Sequence, residues 1–102
     1  MIVVIATIEV HEGRRDAFLA EFNKNVPLVR AEAGCLEYFP TTDLGAELPV
    51  PVASRPNVVT VVEKWQSFDA LRAHFTAPHM ADYRVRVKDL VAGVKLQVLQ
   101  PA

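Results

Sequence analysis

Disulfide chemistry and a broad charge of one sign are both absent from this sequence. Cys35 is the single cysteine in 102 residues, so no internal disulfide can form, and a reducing compartment, the cytoplasm, is predicted. The chain has 11 Lys and Arg residues against 12 Asp and Glu residues. Because binding to a phosphate backbone requires a broad basic surface, no nucleic-acid partner is expected.

Long hydrophobic runs are also missing. No apolar stretch approaches the roughly 20 residues that a membrane-spanning helix needs. Residues 1–10 are apolar, but Glu9 interrupts them and they lack a basic start and a cleavage site, which indicates a strand rather than a signal peptide. We therefore predict a soluble protein with no membrane partner. Hydrophobic residues make up 51% of the chain, enough for the core of one domain over residues 1–102.

Hydrophobic periodicity predicts the element order β-α-β-β-α-α-β. Segments that favour β structure predict four strands, at residues 2–11, 35–42, 58–65 and 93–102. Between the first two, apolar residues recur at steps of three and four from residue 17 to residue 33, which is typical of an amphipathic helix. Two shorter helices are expected after Ser67 and from Pro78.

Local signals predict where the helices begin and end. Ser67 is a typical N-cap residue, and Asp69 places a negative charge in the first turn of the second helix. Pro27 lacks a backbone donor and predicts a kink or break near residues 23–26. Gly34 is expected to be the C-cap of the first helix.

Apolar stripes predict which helix faces meet the core. The second helix has one stripe, formed by Phe68, Leu71 and Phe75, and the third has another, formed by Met80, Tyr83, Val87 and Leu90. The basic residues of the third helix lie elsewhere and are expected to face water; they are Arg84, Arg86 and Lys88.

Four strands with helices on one face predict an α+β fold, a ferredoxin-like four-stranded antiparallel sheet. The other face of that sheet is also apolar, since Val3 and Ile5 lie opposite Val4 and Ile8. Because no second helical layer is available to cover it, we expect a second copy to pack sheet to sheet, forming a homodimer.

Residues 44–57 contain prolines and no hydrophobic period, so they predict a long loop. Such a loop is either a lid, an arm that reaches a partner, or a solvated connection between strands.

Three segments resemble the antibiotic biosynthesis monooxygenase family: RAEAGCLEYF (30–39), VEKWQSFDALRAH (62–74) and PHMADY (78–83). The resemblance extends over nearly the whole chain apart from the long loop. It implies a dimeric α+β barrel with a ligand cavity between the sheet and the helices of each subunit. It also implies oxidation of a quinol or another electron-rich small aromatic substrate by O2, without a metal or an organic cofactor.

The same resemblance implies the site residues. Trp65 and His74 match the tryptophan and the helix histidine of the family, and are expected to be catalytic: Trp65 would position the ring, and His74 would act as the base. His79, Tyr83 and Phe75 are expected to bind substrate. Each also has a structural interpretation, because a buried tryptophan, histidine or tyrosine commonly serves only the core.

Other chemistries are weaker matches to the residues. His74 and His79 are five residues apart across a proline, whereas helical metal ligands need a spacing of three or four, so no metal site is predicted. Cys35 is expected to be a small buried hydrophobic residue.

Three alternative functions stay open. Haem-degrading relatives use an asparagine on the first strand, where this chain has only Thr7 as an uncharged polar residue. An isomerase acting on a phosphorylated ligand would need the basic residues of the third helix to reach the cavity. A non-catalytic ligand-binding dimer is the third alternative.

Overall fold

Seven elements form in the predicted order, in a computed structural model that describes all 102 residues. They are β1 (Ile2–Val10), α1 (Arg15–Arg30), β2 (Cys35–Thr41), β3 (Val58–Trp65), α2 (Phe68–Thr76), α3 (Pro78–Val87) and β4 (Val91–Leu99). The strands pair antiparallel in the order β2-β3-β1-β4. This arrangement confirms the predicted α+β, ferredoxin-like class. None of the helices combines the length and the apolar character needed to cross a membrane.

Alternation along the two central strands decides which side chains meet the helices. The buried positions of β3 are Val59, Val61, Glu63 and Trp65, and those of β1 are Val4, Ala6, Ile8 and Val10. Apart from Glu63, these residues form one core cluster with side chains of α1, α2 and α3. The intervening residues point to the opposite face of the sheet, as successive side chains of a strand must.

The sequence predicted a kink or a break near residues 23–26, but the first helix is not broken there and continues through Pro27 to Arg30. Val26 and Val29 are buried on either side of the proline, so packing against the core stabilises the last turn. The Pro27 carbonyl oxygen still accepts a hydrogen bond from the Ala31 N–H at 3.2 Å. Only the single donor that proline lacks is lost, and tertiary contacts outweigh that loss.

The predicted role of Gly34 as the helix C-cap is wrong, because Ala31 occupies that position. Gly34 lies in the turn before β2 with φ of +83°, a conformation that favours glycine. Its carbonyl oxygen accepts a hydrogen bond from the Gln66 N–H at 2.8 Å. A Cβ at this position would lie 2.6 Å from the Ala70 Cβ, so glycine lets α2 approach the turn.

The second helix begins at the predicted residue, but the face that it turns toward the core differs from the predicted one. The Ser67 hydroxyl oxygen accepts a hydrogen bond from the Ala70 N–H at 3.1 Å, which confirms the N-cap. Leu71 and His74 are the buried residues, whereas Phe68 and Phe75 are 55% and 42% exposed. The helix therefore directs a histidine, rather than two phenylalanines, toward the sheet.

The third helix follows its prediction. Pro78 lies in its first turn, and the predicted apolar residues Met80, Tyr83 and Val87 are buried. Leu90, the last residue of the predicted stripe, is also buried but lies beyond the end of the helix.

Residues 42–57 form the predicted long loop, without helix or strand. Its two ends are joined by Arg55, whose Nε and Nη2 atoms donate to the Asp43 carboxylate at 2.8 and 3.0 Å. These hydrogen bonds lower the pKa of Asp43 to about 2. Between the joined ends, apolar side chains such as Leu44 and Leu48 extend into solvent, 89% and 62% exposed.

Gly34→Ala is expected to destabilise the fold by about 2–4 kcal/mol, because alanine is strained at positive φ and its Cβ overlaps Ala70. Gly13→Ala is the matched control, since Gly13 has φ of +75° but no atom within 4 Å of the added Cβ. The control should lose only about 1 kcal/mol from backbone strain. Urea unfolding of both variants measures the difference, and equal losses would contradict the close approach.

Candidate active site

A cavity of about 400 Å³ lies between the sheet and the second and third helices. Most of its wall is apolar, with Ile8 and Val61 from the sheet, Phe22 from α1 and Met80 from α3. The side toward β4 is bounded by Val94 and Leu96, which are themselves 56% and 45% exposed. The cavity therefore has an apolar interior that opens at the edge of the sheet.

Four polar side chains of the buried wall reach this cavity: His74, Glu63, Tyr38 and Tyr83. Asn25 Oδ1 is the only fully buried side-chain nitrogen or oxygen atom without a hydrogen-bond partner. His74 Nε2, the second oxygen of Glu63 and both tyrosine hydroxyls also make no hydrogen bond within the chain, but they are not among the fully buried atoms, and their residues line the cavity. They are available to a bound molecule.

Glu63 is a carboxylate placed at an inward position of β3. It is 6% exposed, and its Oε1 accepts a hydrogen bond from the Trp65 indole Nε1–H at 3.0 Å. Burial raises the pKa of Glu63, because a charge is poorly stabilised away from water, while the Trp65 hydrogen bond and nearby His74 oppose the rise. A carboxyl group of raised pKa in a cavity is suited to accept and return a proton.

The two tyrosines keep their protons. Burial raises the pKa of both Tyr38 and Tyr83 above the ordinary phenol value, and the neighbouring Glu63 raises each further. Their hydroxyl groups therefore stay neutral at physiological pH and can donate hydrogen bonds to an oxygen atom of a ligand.

His74 is held in one orientation by contacts on two sides. Its Nδ1 lies 2.9 Å from Glu32 Oε2 and 3.2 Å from Glu32 Oε1, and its ring centroid is 4.8 Å from that of Trp65. A carboxylate accepts hydrogen bonds, so Nδ1 is the nitrogen that donates to Glu32, and Nε2 has no hydrogen-bond partner within the chain. The imidazole is thus held in one orientation on the cavity wall, and Nε2 is free to contact a bound molecule.

The structure brings some of the predicted site residues together and separates others. His74, Tyr83 and Phe75 line the cavity. Trp65 is fully buried behind the wall, with its indole N–H already bonded to Glu63. His79 also lies away from the cavity wall, and its Nε2 is 2.7 Å from Glu32 Oε2.

Two basic residues of the third helix border the cavity, although the sequence predicted only that they face water. Arg84 and Lys88 are exposed to water, as predicted, but they also border the cavity. The Arg84 guanidinium donates to the Phe75 carbonyl oxygen at 2.8 Å, which joins the second and third helices at the rim.

Sequence reasoning missed Glu63, Tyr38 and the contacts of Glu32. Glu63 had a detectable signal, because an acidic residue occupies an inward position in the alternation of β3. Tyr38 had no such signal beyond its place in a strand. Glu32 binds His74 and His79, which are 42 and 47 residues away in sequence, and no local pattern predicts that contact.

Comparisons with known proteins agree with this architecture. The family model described as antibiotic biosynthesis monooxygenase matches residues 1–86. The probable quinol monooxygenase YgiN of Escherichia coli is 37% identical over 103 aligned residues, which cover 99% of this chain and 98% of YgiN.

Two solved structures are similar to the fold along its whole length. PA3566 of Pseudomonas aeruginosa is 27% identical, with a TM-score of 0.82, and the match covers 99% of this chain and 93% of PA3566. Rv0793 of Mycobacterium tuberculosis is 26% identical, with a TM-score of 0.80 and coverage of 99% and 94%.

Glu63→Gln is expected to stabilise the protein more at pH 8 than at pH 4. The ordinary pKa is 4.5 and the folded value is higher, so the cost of the buried charge is fully present above the folded pKa. That cost disappears as the pH falls through the folded pKa toward 4.5, and glutamine removes it at every pH. Urea unfolding at both pH values measures the effect.

The exposed Glu47→Gln variant is the control and should change stability equally at the two pH values. A Glu63→Gln effect that is the same at pH 4 and pH 8 would contradict the raised pKa.

Proposed function

Because the chain belongs to the antibiotic biosynthesis monooxygenase family and is an oxidoreductase, we propose that it oxidises a quinol or other electron-rich aromatic with O2. The proposed reaction uses no metal and no organic cofactor. The observation that carries the proposal is the pairing of a largely apolar cavity with an oriented histidine and a buried carboxylate on its wall.

The size and lining of the cavity support an aromatic substrate. A volume of about 400 Å³ lies in the range of small-molecule sites. Flat apolar rings gain from leaving water for such a surface. Phe22 and Tyr38 stack at a centroid distance of 5.4 Å, so the wall already presents an aromatic face.

His74 is the proposed base. Its Nε2 would accept the proton of a substrate hydroxyl, while the Glu32 carboxylate stabilises the positive charge that forms on the imidazole. The resulting aromatic anion is electron-rich and can reduce O2 directly. Tyr83 and Tyr38 would donate hydrogen bonds to the substrate oxygens, and Phe75 would contribute to the apolar surface.

The reaction balances without another reductant. A 1,4-naphthoquinol and O2 give a hydroxylated naphthoquinone and water. O2 takes four electrons, two from the oxidation of quinol to quinone and two from the conversion of a ring C–H to C–OH. The ring-bound peroxide that forms on the way loses its distal oxygen as water, so the site must first accept a proton and later return one.

Trp65 is proposed to act through its neighbours. Its indole N–H orients the Glu63 carboxylate at 3.0 Å, and its ring packs against His74. In this proposal Trp65 positions the base His74 and the carboxyl group of Glu63, and His79 contributes to the same site through Glu32.

A second proposal concerns assembly: the chain forms a homodimer through the sheet face that the helices leave uncovered. The strand register places Phe39, Val62 and Ile5 side by side on that face. The edge strand β4 is largely uncovered even on the helix side of the sheet, where Val94, Leu96 and Val98 are between 45% and 56% exposed. Apolar surface of this extent, and a long free edge strand, favour a second copy.

His74→Gln is expected to lower kcat by about 10²–10⁴-fold, because glutamine cannot accept the proton. Oxygen uptake with anaerobically prepared 1,4-naphthoquinol measures the rate above spontaneous oxidation. His11→Gln, at an exposed position, is the control and should be unchanged. Uptake by the unmodified protein that is no faster than the uncatalysed rate would contradict the proposed reaction.

Val62→Glu is expected to convert a dimer into a monomer, because it places a charge in the apolar row of the uncovered face. Val85→Glu is the matched control, since Val85 is 77% exposed on α3 and away from the sheet. Sedimentation equilibrium at micromolar concentration compares the three proteins. A folded, monomeric unmodified protein would contradict the proposed assembly.

A further inference from the structure

Glu32 and His79 lie outside the cavity wall, yet they are bonded in series to the histidine that faces it. We propose that these two residues form a proton path, called here the His74–Glu32–His79 chain, which connects the cavity to solvent. This inference rests on the proposed function, since it assigns the route by which the base His74 loses and regains a proton. Glu32 and His79 are therefore positioning and proton-transfer residues that do not touch the substrate.

The distances along the chain are those of direct hydrogen bonds. His74 Nδ1 lies 2.9 Å from Glu32 Oε2, and the same oxygen lies 2.7 Å from His79 Nε2. One carboxylate oxygen thus bridges two imidazole rings, with no intervening residue. Charge-assisted hydrogen bonds of this length are strong and hold the three groups in a fixed order.

Side-chain exposure increases along the same path. The His74 side chain is 3% exposed, that of Glu32 is 13% exposed and that of His79 is 20% exposed. His74 is enclosed by Trp65 and Tyr38, whose rings lie 4.8 and 5.7 Å from its own. A proton on Nδ1 of His74 can therefore leave only toward Glu32, whereas His79 can exchange with water.

Local structure explains why the three residues meet. Glu32 follows α1, in a tight turn in which its N–H donates to the Val29 carbonyl oxygen at 2.9 Å. His79 lies in the first turn of α3, directly after the short break between α2 and α3. Gly34 allows α2 to pack closely against the turn that contains Glu32. The contact thus joins side chains from the turn after α1, from α2 and from α3, and the packing of these elements fixes it.

The proton balance of the proposed reaction requires transfer in both directions. When His74 Nε2 accepts the substrate proton, Nδ1 passes its own proton to Glu32, and His79, which in this proposal starts with a proton on both ring nitrogens, releases one to water while its Nε2–H keeps donating to Glu32. When the peroxide O–O bond breaks, His74 Nε2–H protonates the leaving oxygen, Glu32 returns its proton to Nδ1, and His79 takes a proton back from water. The imidazole returns to its starting tautomer, and the numbers of protons released and taken up by the chain are equal.

A metal site is the other arrangement that two histidines and a carboxylate suggest. Here both imidazole nitrogens are directed at one carboxylate oxygen at hydrogen-bond distance. No group of three or more His, Cys, Asp and Glu residues is arranged to hold a metal ion. The geometry is therefore that of proton transfer between neighbouring groups.

Two variants of His79 separate a proton path from a structural contact. His79→Gln keeps a donor for Glu32 but cannot relay a proton, whereas His79→Ala removes the side chain and leaves space for a small molecule. We expect both to lower kcat by about tenfold, a fraction of the effect of removing the base itself. Imidazole added to the solution should restore the alanine variant and not the glutamine variant. The matched variants His11→Gln and His11→Ala should behave as the unmodified protein.

A measurement without substrate distinguishes failure of this inference from failure of the proposed function. In protein labelled with ¹⁵N-histidine, NMR measures the exchange of the His74 Nδ1 proton with water. We expect His79→Gln to slow this exchange at least several-fold, whether or not a quinol is oxidised. Exchange that is as fast in His79→Gln as in the unmodified protein would overturn the proton path, as would an unchanged kcat in that variant.

Discussion

The arrangement of this molecule depends on a buried carboxylate at an inward position of a central strand. Alternation along β3 sends Glu63 to the same face as Val61 and Trp65, beneath the helices. A charge there is costly unless hydrogen bonds or proton uptake offset the loss of water. The Trp65 indole supplies one such bond, and burial raises the pKa of Glu63. The Glu63 carboxyl group therefore lowers the stability of the core and is also suited to proton transfer.

Around that carboxylate, the site combines an apolar cavity with side chains that differ in how readily they give up or accept a proton. Tyr38 and Tyr83 hold their protons, because burial and Glu63 both raise their pKa. His74 is oriented from behind by Glu32. Groups whose environments differ in this way can perform opposite steps of one reaction. Membership of the monooxygenase family gives this arrangement its chemical context.

Much of the fold could be predicted from local patterns, and the errors have a common cause. The element order, the Ser67 cap and the stripe of α3 were correct because each depends on neighbouring residues. Pro27 was expected to kink or break α1, but the helix is not broken, because burial of the adjacent valines outweighs one missing hydrogen bond. Phe68 and Phe75 were expected to be buried, but packing directs Leu71 and His74 inward instead.

The sequence by itself determined the fold class, the family resemblance and the candidates His74 and Trp65, because periodicity and short motifs are properties of neighbouring residues. Tertiary structure alone decided that Trp65 bonds to Glu63, and that Glu32 joins His74 to His79 across 42 and 47 residues. Hydrogen bonds of that kind depend on the directions of side chains from separate elements. Those directions are set only when the helices pack on the sheet.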